Sequence, residues 1–235
     1  MTRIVCRGLL LDMDGVLVDS TPAVARVWTK WAIKQSMDPE TVVKYAHGRT
    51  SLAAIQELLP QADAEAHRAE DRWMEQSEIE DVADVVALPG AKQLLKLLPP
   101  GQVAVVTSAT RPLAEVRLHA AGLLDLVTYL ITASDIQRGK PDPEPYRKGA
   151  AKLSLDPQDC IVVEDAPSGV VSGKAAGSRV IAVRTTAHEP ELLSAGAEWL
   201  VNDCSSIHVD HETAPGRVVL ALSDNVKEPR VHKMS

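Results

Sequence analysis

Two aspartates one residue apart, Asp12 and Asp14, are the side chains whose type and spacing most plainly indicate chemistry. They follow an apolar run at residues 8–11 and precede Gly15. Carboxylates held this close repel each other and raise at least one pKa, so such a pair normally persists where a cation or a transferred proton stabilises it. A surface turn is the alternative, because Asp-Gly is a common turn sequence. The ends of other predicted strands decide between the two interpretations.

Complementary groups stand at or after the ends of later apolar runs. They are a hydroxyl pair, an ammonium and a second carboxylate pair: Thr107 and Ser108 after residues 103–106, Lys140, and Glu164 and Asp165 after residues 160–163. Carboxylate oxygens without His or Cys suit a hard divalent cation such as Mg²⁺, which also cancels the repulsion within the acidic set. A hydroxyl and an ammonium remain to hold a phosphate. Together these groups predict a phosphoryl-transfer site.

The elements that must position these groups are short apolar runs separated by helical segments. We predict parallel strands at residues 8–11, 103–106, 129–132, 160–163 and 180–183, with residues 199–201 as a sixth. Helix starts lie between them, as where Arg111 and Pro112 precede residues 113–121 and where Pro167 precedes residues 170–176. This alternation predicts an α/β fold, in which ligands bind beyond the carboxyl ends of the strands.

Residues 20–89 break the alternation, because they show only helical periodicity. Turn-rich sequences border this segment on both sides. We therefore expect a helical domain of four helices at residues 19–89, inserted into a core domain made of residues 1–18 and 90–235. Trp28 and Trp31 recur at helical spacing and are expected to pack the core of the insert.

Composition narrows the partners and the setting. The net charge of -7 over 235 residues, with no block rich in Lys and Arg, argues against nucleic acid and anionic membranes as partners. The three cysteines are odd in number and lack metal-ligand spacing, so we expect reduced packing residues. The N-terminal apolar run is too short for a signal peptide, and no apolar stretch reaches membrane-spanning length. We expect a cytoplasmic monomer that ends in a β-hairpin, at residues 207–209 and 217–222, and a polar tail.

Four motifs in chain order resemble those of the haloacid dehalogenase superfamily, in its helical-capped phosphatase subgroup. The motifs are Leu10-Leu11-Asp12-Met13-Asp14-Gly15-Val16, Val106-Thr107-Ser108, Lys140-Pro141 and Val163-Glu164-Asp165-Ala166-Pro167-Ser168-Gly169. The resemblance implies a Rossmann-like doubly wound parallel sheet that carries an inserted α-helical cap. Each motif alone is weakly specific, and the four in order are strongly specific.

The resemblance also implies a role for each motif residue. Asp12 would attack phosphorus and form an aspartyl-phosphate, and Asp14 would protonate the leaving oxygen and then activate water. Mg²⁺ would be held by Asp12, the backbone carbonyl of Asp14 and Asp165, with Glu164 acting through a water molecule. The phosphate would be held by the Thr107 hydroxyl, the Ser108 amide and the Lys140 ammonium. For Thr107 and Ser108 the alternative is ordinary helix capping, and for Lys140 it is a solvated loop.

Three other segments, at residues 19–23, 47–50 and 140–146, resemble those of phosphatases for sugar phosphates, glycerol 3-phosphate and 2-deoxyglucose 6-phosphate. We therefore expect a small phosphorylated sugar or polyol as substrate. His47 and Arg49 lie on a Gly-containing loop of the helical insert, and Arg49 is a candidate for binding the second end of such a substrate. The alternative for Arg49 is a surface residue beside a helix start.

Three other functions compete with a phosphatase. A phosphoacceptor signalling domain uses similar groups, but it ends its motif order with Lys, whereas here Glu164 and Asp165 follow Lys140. A dehalogenase of the same superfamily needs no metal and usually lacks the residue corresponding to Asp14. A sugar phosphomutase is the leading alternative, although mutase-like relatives carry a cap His where this chain has Ala23-Val24-Ala25.

Overall fold

The computed structural model describes residues 2–46, 49–210 and 216–223. The strands are β1 (Thr2–Cys6), β2 (Gly8–Leu11), β3 (Val18–Asp19), β4 (Val86–Ala87), β5 (Val103–Val106), β6 (Leu130–Ile131), β7 (Cys160–Glu164), β8 (Arg179–Val183), β9 (Trp199–Val201), β10 (Ile207–Asp210) and β11 (Val218–Leu222). The α-helices are α1 (Thr21–Lys34), α2 (Pro39–Ala46), α3 (Ser51–Leu58), α4 (Ala64–Glu80), α5 (Ala91–Leu97), α6 (Arg111–Ala120), α7 (Glu144–Lys152), α8 (Pro167–Ala176) and α9 (Glu189–Ser194).

The main sheet is parallel and has the strand order β6-β5-β2-β7-β8-β9, so all six predicted strands belong to it. Strand β2 lies between β5 and β7 and is completely buried. Its side chains alternate between two apolar layers, with Leu9 and Leu11 in one and Leu10 in the other. Helices α5 and α6 contribute to the first layer and α7 and α8 to the second, which explains the continuous apolar run. The α/β prediction is confirmed.

A second, antiparallel sheet has the order β1-β11-β10. The pairing of β10 with β11 confirms the predicted hairpin, although part of its connecting turn and the polar tail lie outside the described residues. Strand β1 was not predicted from the sequence. Its partner β11 lies more than 200 residues away, with Thr2 opposite Leu222, and no local pattern indicates such a pairing.

Helices α1–α4 follow one another between β3 and β4, which pair with each other in antiparallel fashion. These are the four helices expected from the periodicity. Trp28 and Trp31 are buried in an apolar cluster formed by α1–α4. Their ring centroids are 5.4 Å apart in an edge-to-face arrangement. Their predicted packing role is therefore confirmed.

The three cysteines are buried and carry free thiols, as expected. Burial raises the pKa of each thiol to about 12, so all three are protonated at neutral pH. Among the described residues, no helix has the length and apolarity to cross a membrane.

Candidate active site

The polar strand ends meet above the centre of the main sheet. Asp12 follows β2, Thr107 follows the neighbouring β5, and Glu164 ends the neighbouring β7. Because all three strands run parallel, their carboxyl ends lie at the same edge. A cleft of about 110 Å³ opens there, and it is lined by Asp12, Asp14, Thr107, Ser108, Lys140, Glu164, Ala166 and Ser168.

Lys140 is an almost fully buried ammonium between two carboxylates. Its Nζ donates to Asp12 Oδ1 at 2.5 Å and to Glu164 Oε1 at 2.6 Å, and its side chain is 6% exposed. A third bond goes to the carbonyl of Val106 at 3.1 Å. Burial by itself would lower the pKa of Lys140, but the charges of Asp12 and Glu164 outweigh it and raise that pKa. Lys140 therefore stays charged at neutral pH, and the solvated-loop alternative does not describe it.

Asp12 has an unusual titration for a carboxyl group. Burial raises its pKa to about 7, and the neighbouring charge of Glu164 adds to that effect, while Lys140 opposes both. Asp12 is only 8% exposed. Full ionisation at neutral pH therefore requires more positive charge than Lys140 supplies.

Glu164 is buried, and donors surround both of its carboxylate oxygens. Oε1 accepts from Lys140 and from the Tyr146 hydroxyl, each at 2.6 Å. Oε2 accepts from the backbone amides of Asp165 at 3.0 Å and Ala166 at 3.2 Å. These bonds fix the Glu164 carboxylate, which accepts hydrogen bonds from Lys140 and from the backbone of the loop after β7.

Asp165 lies across the loop from Gly15. The Thr186 hydroxyl donates to Asp165 Oδ2, and burial together with the charge of Glu164 raises the pKa of Asp165 well above its usual value. A side chain at Gly15 would collide with this carboxylate, because a Cβ there would lie 1.9 Å from Asp165 Oδ2. Gly15 also adopts φ +77°, which favours glycine.

The buried carboxylates of Asp12, Glu164 and Asp165 form a cluster that fits a divalent cation. One oxygen of each lies within 4.8 Å of the others. The donor set is oxygen only, which suits a hard metal ion, and Lys140 alone leaves the cluster with a deficit of positive charge. Burial raises the pKa of both Asp12 and Asp165, and a bound cation would favour their ionised forms.

Asp14 lines the cleft, and its side chain is 30% exposed. Its Oδ1 accepts from the Ser20 hydroxyl at 2.7 Å and from Arg117 Nη1 at 3.1 Å. Arg117 is 5% exposed, and its Nη2 binds Glu78 of α4 at 3.1 Å. Asp14 is thus fixed at one carboxylate oxygen.

Thr107 and Ser108 line the cleft from the β5 side. Thr107 is buried, and its Oγ1 accepts from the Ala109 amide at 3.0 Å, the kind of local bond that the capping alternative predicts. The same hydroxyl can still donate into the cleft, since a hydroxyl both donates and accepts. Ser108 is exposed.

Arg49 lies apart from this cleft, whereas the other predicted site residues either line it or, as Asp165 does, belong to the carboxylate cluster with Asp12 and Glu164. Its guanidinium lies 4.5 Å from the ring centroid of Tyr45 and pairs with Glu57 at 3.5 Å, all on the helical segment. His47, its predicted neighbour in the substrate-binding loop, lies outside the described residues.

Comparison with known proteins decides the family. Residues 6–177 match the family model of the haloacid dehalogenase-like hydrolases. The chain belongs to this family. It is 42% identical over 189 residues to hexitol phosphatase A of Escherichia coli, with 80% of this chain and 87% of the relative covered. Glycerol-1-phosphate phosphohydrolase 2 of Saccharomyces cerevisiae is 34% identical over 215 residues, with 85% and 83% covered.

A solved structure agrees with this membership. The crystal structure of a family IA, variant 3 haloacid dehalogenase hydrolase from Entamoeba histolytica superimposes with a TM-score of 0.77 at 25% identity. The superposition covers 86% of this chain and 95% of that chain. The recognition made from the four sequence motifs is therefore confirmed, and a phosphoacceptor signalling domain is disfavoured.

Several residues of this hydrolase site were not predicted from the sequence. Arg117 contacts Asp14, Tyr146 contacts Glu164 and Thr186 contacts Asp165, each from another element of the fold. Ser20 contacts Asp14 from only six residues along the chain. Only Arg117 had a visible signal. It occupies the apolar stripe of α6 with Leu113, Ala114 and Leu118, where a charge is unexpected unless it has a buried partner.

Proposed function

We propose that this hydrolase is a Mg²⁺-dependent phosphatase that releases inorganic phosphate from small phosphorylated sugars or polyols. The observation that carries the proposal is the buried Asp12, bound by the Lys140 ammonium at 2.5 Å, in a cleft that Asp14, Thr107 and Ser108 also line. The groups that would serve as nucleophile, proton donor and phosphate ligands therefore all line one small volume. The names of the relatives, a hexitol phosphatase and a glycerol-1-phosphate phosphohydrolase, support the substrate class.

The proposed reaction has two displacements. In the first, a carboxylate oxygen of Asp12 bonds to phosphorus as the ester P–O bond breaks, and Asp14 gives its proton to the departing oxygen. In the second, water attacks phosphorus, Asp14 takes a proton from that water, and the Asp12–phosphorus bond breaks. Asp12 and Asp14 therefore both return to their starting states.

The remaining residues bind and orient the phosphate. Lys140 would neutralise phosphate charge, and Thr107 and the Ser108 amide would donate hydrogen bonds to its oxygens. Asp12, the backbone carbonyl of Asp14 and Asp165 would hold Mg²⁺, and Glu164 would act through water. Bound there, Mg²⁺ supplies the positive charge that offsets the carboxylate cluster and the phosphate.

Residues 19–89 form, in this proposal, a cap over a core made of residues 1–18 and 90–235. Support comes from the paired short strands β3 and β4, which carry the chain out to α1–α4 and back. These two strands are suited to act as a hinge, because they join the helices to the core at one place. Arg49 on the cap is proposed to bind the hydroxyl-rich end of the substrate. It would leave its ion pair with Glu57 and bind a substrate hydroxyl group instead, which would contribute to substrate selectivity.

The test measures phosphate release from a panel of sugar and polyol phosphates with Mg²⁺ present. Asp12→Asn is expected to abolish release, because the amide cannot act as the nucleophile, while circular dichroism and the melting temperature stay close to those of the parent protein. EDTA should abolish release reversibly. Unchanged release in Asp12→Asn or in EDTA would refute the mechanism, and isomerised hexose phosphate without free phosphate would identify a mutase instead.

A further inference from the structure

Arg117 is a buried guanidinium that the mechanism above leaves unexplained. It lies on α6, among the apolar residues Leu113, Ala114 and Leu118, and is 5% exposed. Burying a charge this deeply is costly unless it is paired. Its partners therefore indicate why the site retains it.

The two terminal nitrogens of Arg117 bind carboxylates from two different parts of the chain. Nη1 donates to Asp14 Oδ1 on the loop after β2, and Nη2 donates to Glu78 Oε2 on the last turn of α4, each at 3.1 Å. The side chain of Glu78 is 13% exposed. The planar guanidinium suits this task because its donors are fixed in direction relative to each other, which a lysine cannot reproduce.

A second contact joins the same two helices. The hydroxyl of Thr110, at the start of α6, donates to Glu75, one turn before Glu78 on α4. Helix α4 is therefore seated on α6 through two polar contacts on one face, and one of them continues to Asp14 through Arg117.

The bonds at Asp14 engage one of its two carboxylate oxygens. Ser20 and Arg117 both donate to Oδ1. These two bonds hold Oδ1 in place and leave Oδ2 as the carboxylate oxygen that neither residue binds. Holding Oδ1 thus orients Oδ2 as the atom that exchanges protons.

We propose that Arg117 is a positioning residue that aims Asp14 Oδ2 at the leaving group, and that it does so when α4 is docked on α6 through Glu78. The proposal rests on the proposed function, because it assigns proton transfer to Asp14. Movement of the helical segment away from α6 removes Glu78 from Arg117 and loosens Asp14. Proton donation is in this way tied to the position of α4 on α6.

The experiment compares kcat/KM on two substrates that differ in their need for a proton. Glycerol 1-phosphate releases an alkoxide that must be protonated, whereas p-nitrophenyl phosphate releases a stable phenolate that leaves unaided. Arg117→Met is expected to lower kcat/KM on glycerol 1-phosphate by roughly 100-fold, within the range that general acid catalysis contributes. The loss on p-nitrophenyl phosphate should stay below about tenfold, since positioning of the phosphate is unchanged.

Two further variants test the geometry and the link to α4. Arg117→Lys retains the charge but not the forked geometry, so it should recover only part of the activity on glycerol 1-phosphate. Glu78→Ala is expected to lower kcat/KM on glycerol 1-phosphate several-fold and leave p-nitrophenyl phosphate unaffected. Arg111→Met is the matched control, because Arg111 lies on the same helix but binds Asp135 and should leave the ratio of the two substrates unchanged.

Equal losses on both substrates in Arg117→Met would overturn the proposal, since they would indicate general structural damage. No change of the ratio in Glu78→Ala would overturn the link to α4. Asp14→Asn separates this inference from the proposed function. If Asp14→Asn leaves kcat/KM on glycerol 1-phosphate unchanged, the assignment of proton transfer to Asp14 fails. If Asp14→Asn lowers this kcat/KM but Arg117→Met leaves it unchanged, only the inference about Arg117 fails.

Discussion

At the scale of single residues, the charge of Lys140 holds two buried carboxylates together. Asp12 and Glu164 both bind its Nζ. If the ammonium were removed, the two carboxylates would lie close together with no cation between them. Removing one partner of a buried ion pair costs more free energy than the intact pair contributes, because the remaining charge loses its counter-charge and stays out of water. We therefore expect Lys140 to contribute both to stability and to the proposed catalysis.

Lys140→Met should consequently lower both stability and activity. We expect the free energy of unfolding to fall by about 3 kcal/mol, the range seen when one partner of a buried ion pair is removed. Phosphate release should fall by at least about 100-fold, because a positive charge near the phosphate is lost. Urea denaturation and steady-state assays measure the two effects.

Lys148→Met provides the comparison for that variant. Lys148 lies on α7, is 44% exposed, and pairs with Glu144 on the same helix. Exposed pairs of this kind contribute little, so stability and activity should both stay near parental values. If Lys140→Met behaved in the same way, Lys140 would not be the compensating charge of the site.

At this scale, the sequence allowed us to predict only those site residues that lie at or after the ends of strands. Asp12, Thr107 and Asp165 could be predicted because parallel strands place their carboxyl ends at one edge. Arg117 and Thr186 could not be assigned, because each acts on a residue that is distant in the chain and no period connects the two. Such contacts depend on how helices and loops are seated on the sheet.

At the scale of elements, the first turn of α8 is built around Glu164. Gly169 lies so close that a Cβ there would be 1.7 Å from Glu164 Oε1. The helix start therefore approaches the carboxylate more closely than any side chain would permit. That approach encloses the Glu164 oxygens, which are bonded to Lys140, Tyr146 and two backbone amides.

Gly169→Ala should push Glu164 from Lys140 and damage the site. We expect a loss of roughly 1–3 kcal/mol in unfolding free energy, typical of overpacking, together with a marked loss of phosphate release. Gly101→Ala is the matched substitution, because no atom lies within 4 Å of a Cβ built at Gly101. Thermal melts and phosphate assays on both variants check the prediction, and equal behaviour of the two would contradict it.

At the scale of the whole molecule, we expect the carboxylate cluster to make stability depend on pH and on the proposed Mg²⁺ together. Burial raises the pKa of Asp12 to about 7, so the folded state binds this proton more tightly than the unfolded chain does. The resulting stabilisation is complete below the usual pKa of an aspartate and is lost as the pH rises to about 7. The raised pKa of Asp165 acts in the same direction.

Mg²⁺ should therefore raise the melting temperature more at about pH 8 than at about pH 5, because the carboxylates it would bind are ionised only at the higher pH. Melts in Mg²⁺ and in EDTA across this range measure the difference. Asp12→Asn removes one of the titrating groups and should flatten the profile of the metal-free protein. A metal effect that is independent of pH would argue against this cluster as the binding site.

The overall architecture was predicted well where the sequence pattern is local. Six apolar runs matched the six strands of the main sheet, and helical periodicity matched the four helices α1–α4. Strand β1 escaped prediction because it alternates buried and exposed residues over only five positions and pairs with β11 at the far end of the chain. A short strand of this kind owes its structure to its partner.

The strand order of the main sheet has a consequence for how the protein is made. Strand β2, which leads to the proposed nucleophile Asp12, is synthesised early, but it hydrogen-bonds to β5 and β7, which end at Val106 and Glu164. Helices α1–α4 are joined mainly to their neighbours in the chain and can form while the ribosome is still at work. Until β7 has been translated, Leu9, Leu10 and Leu11 lack one side of their sheet, so the nascent chain carries an apolar strand in need of protection long before it can become a catalyst.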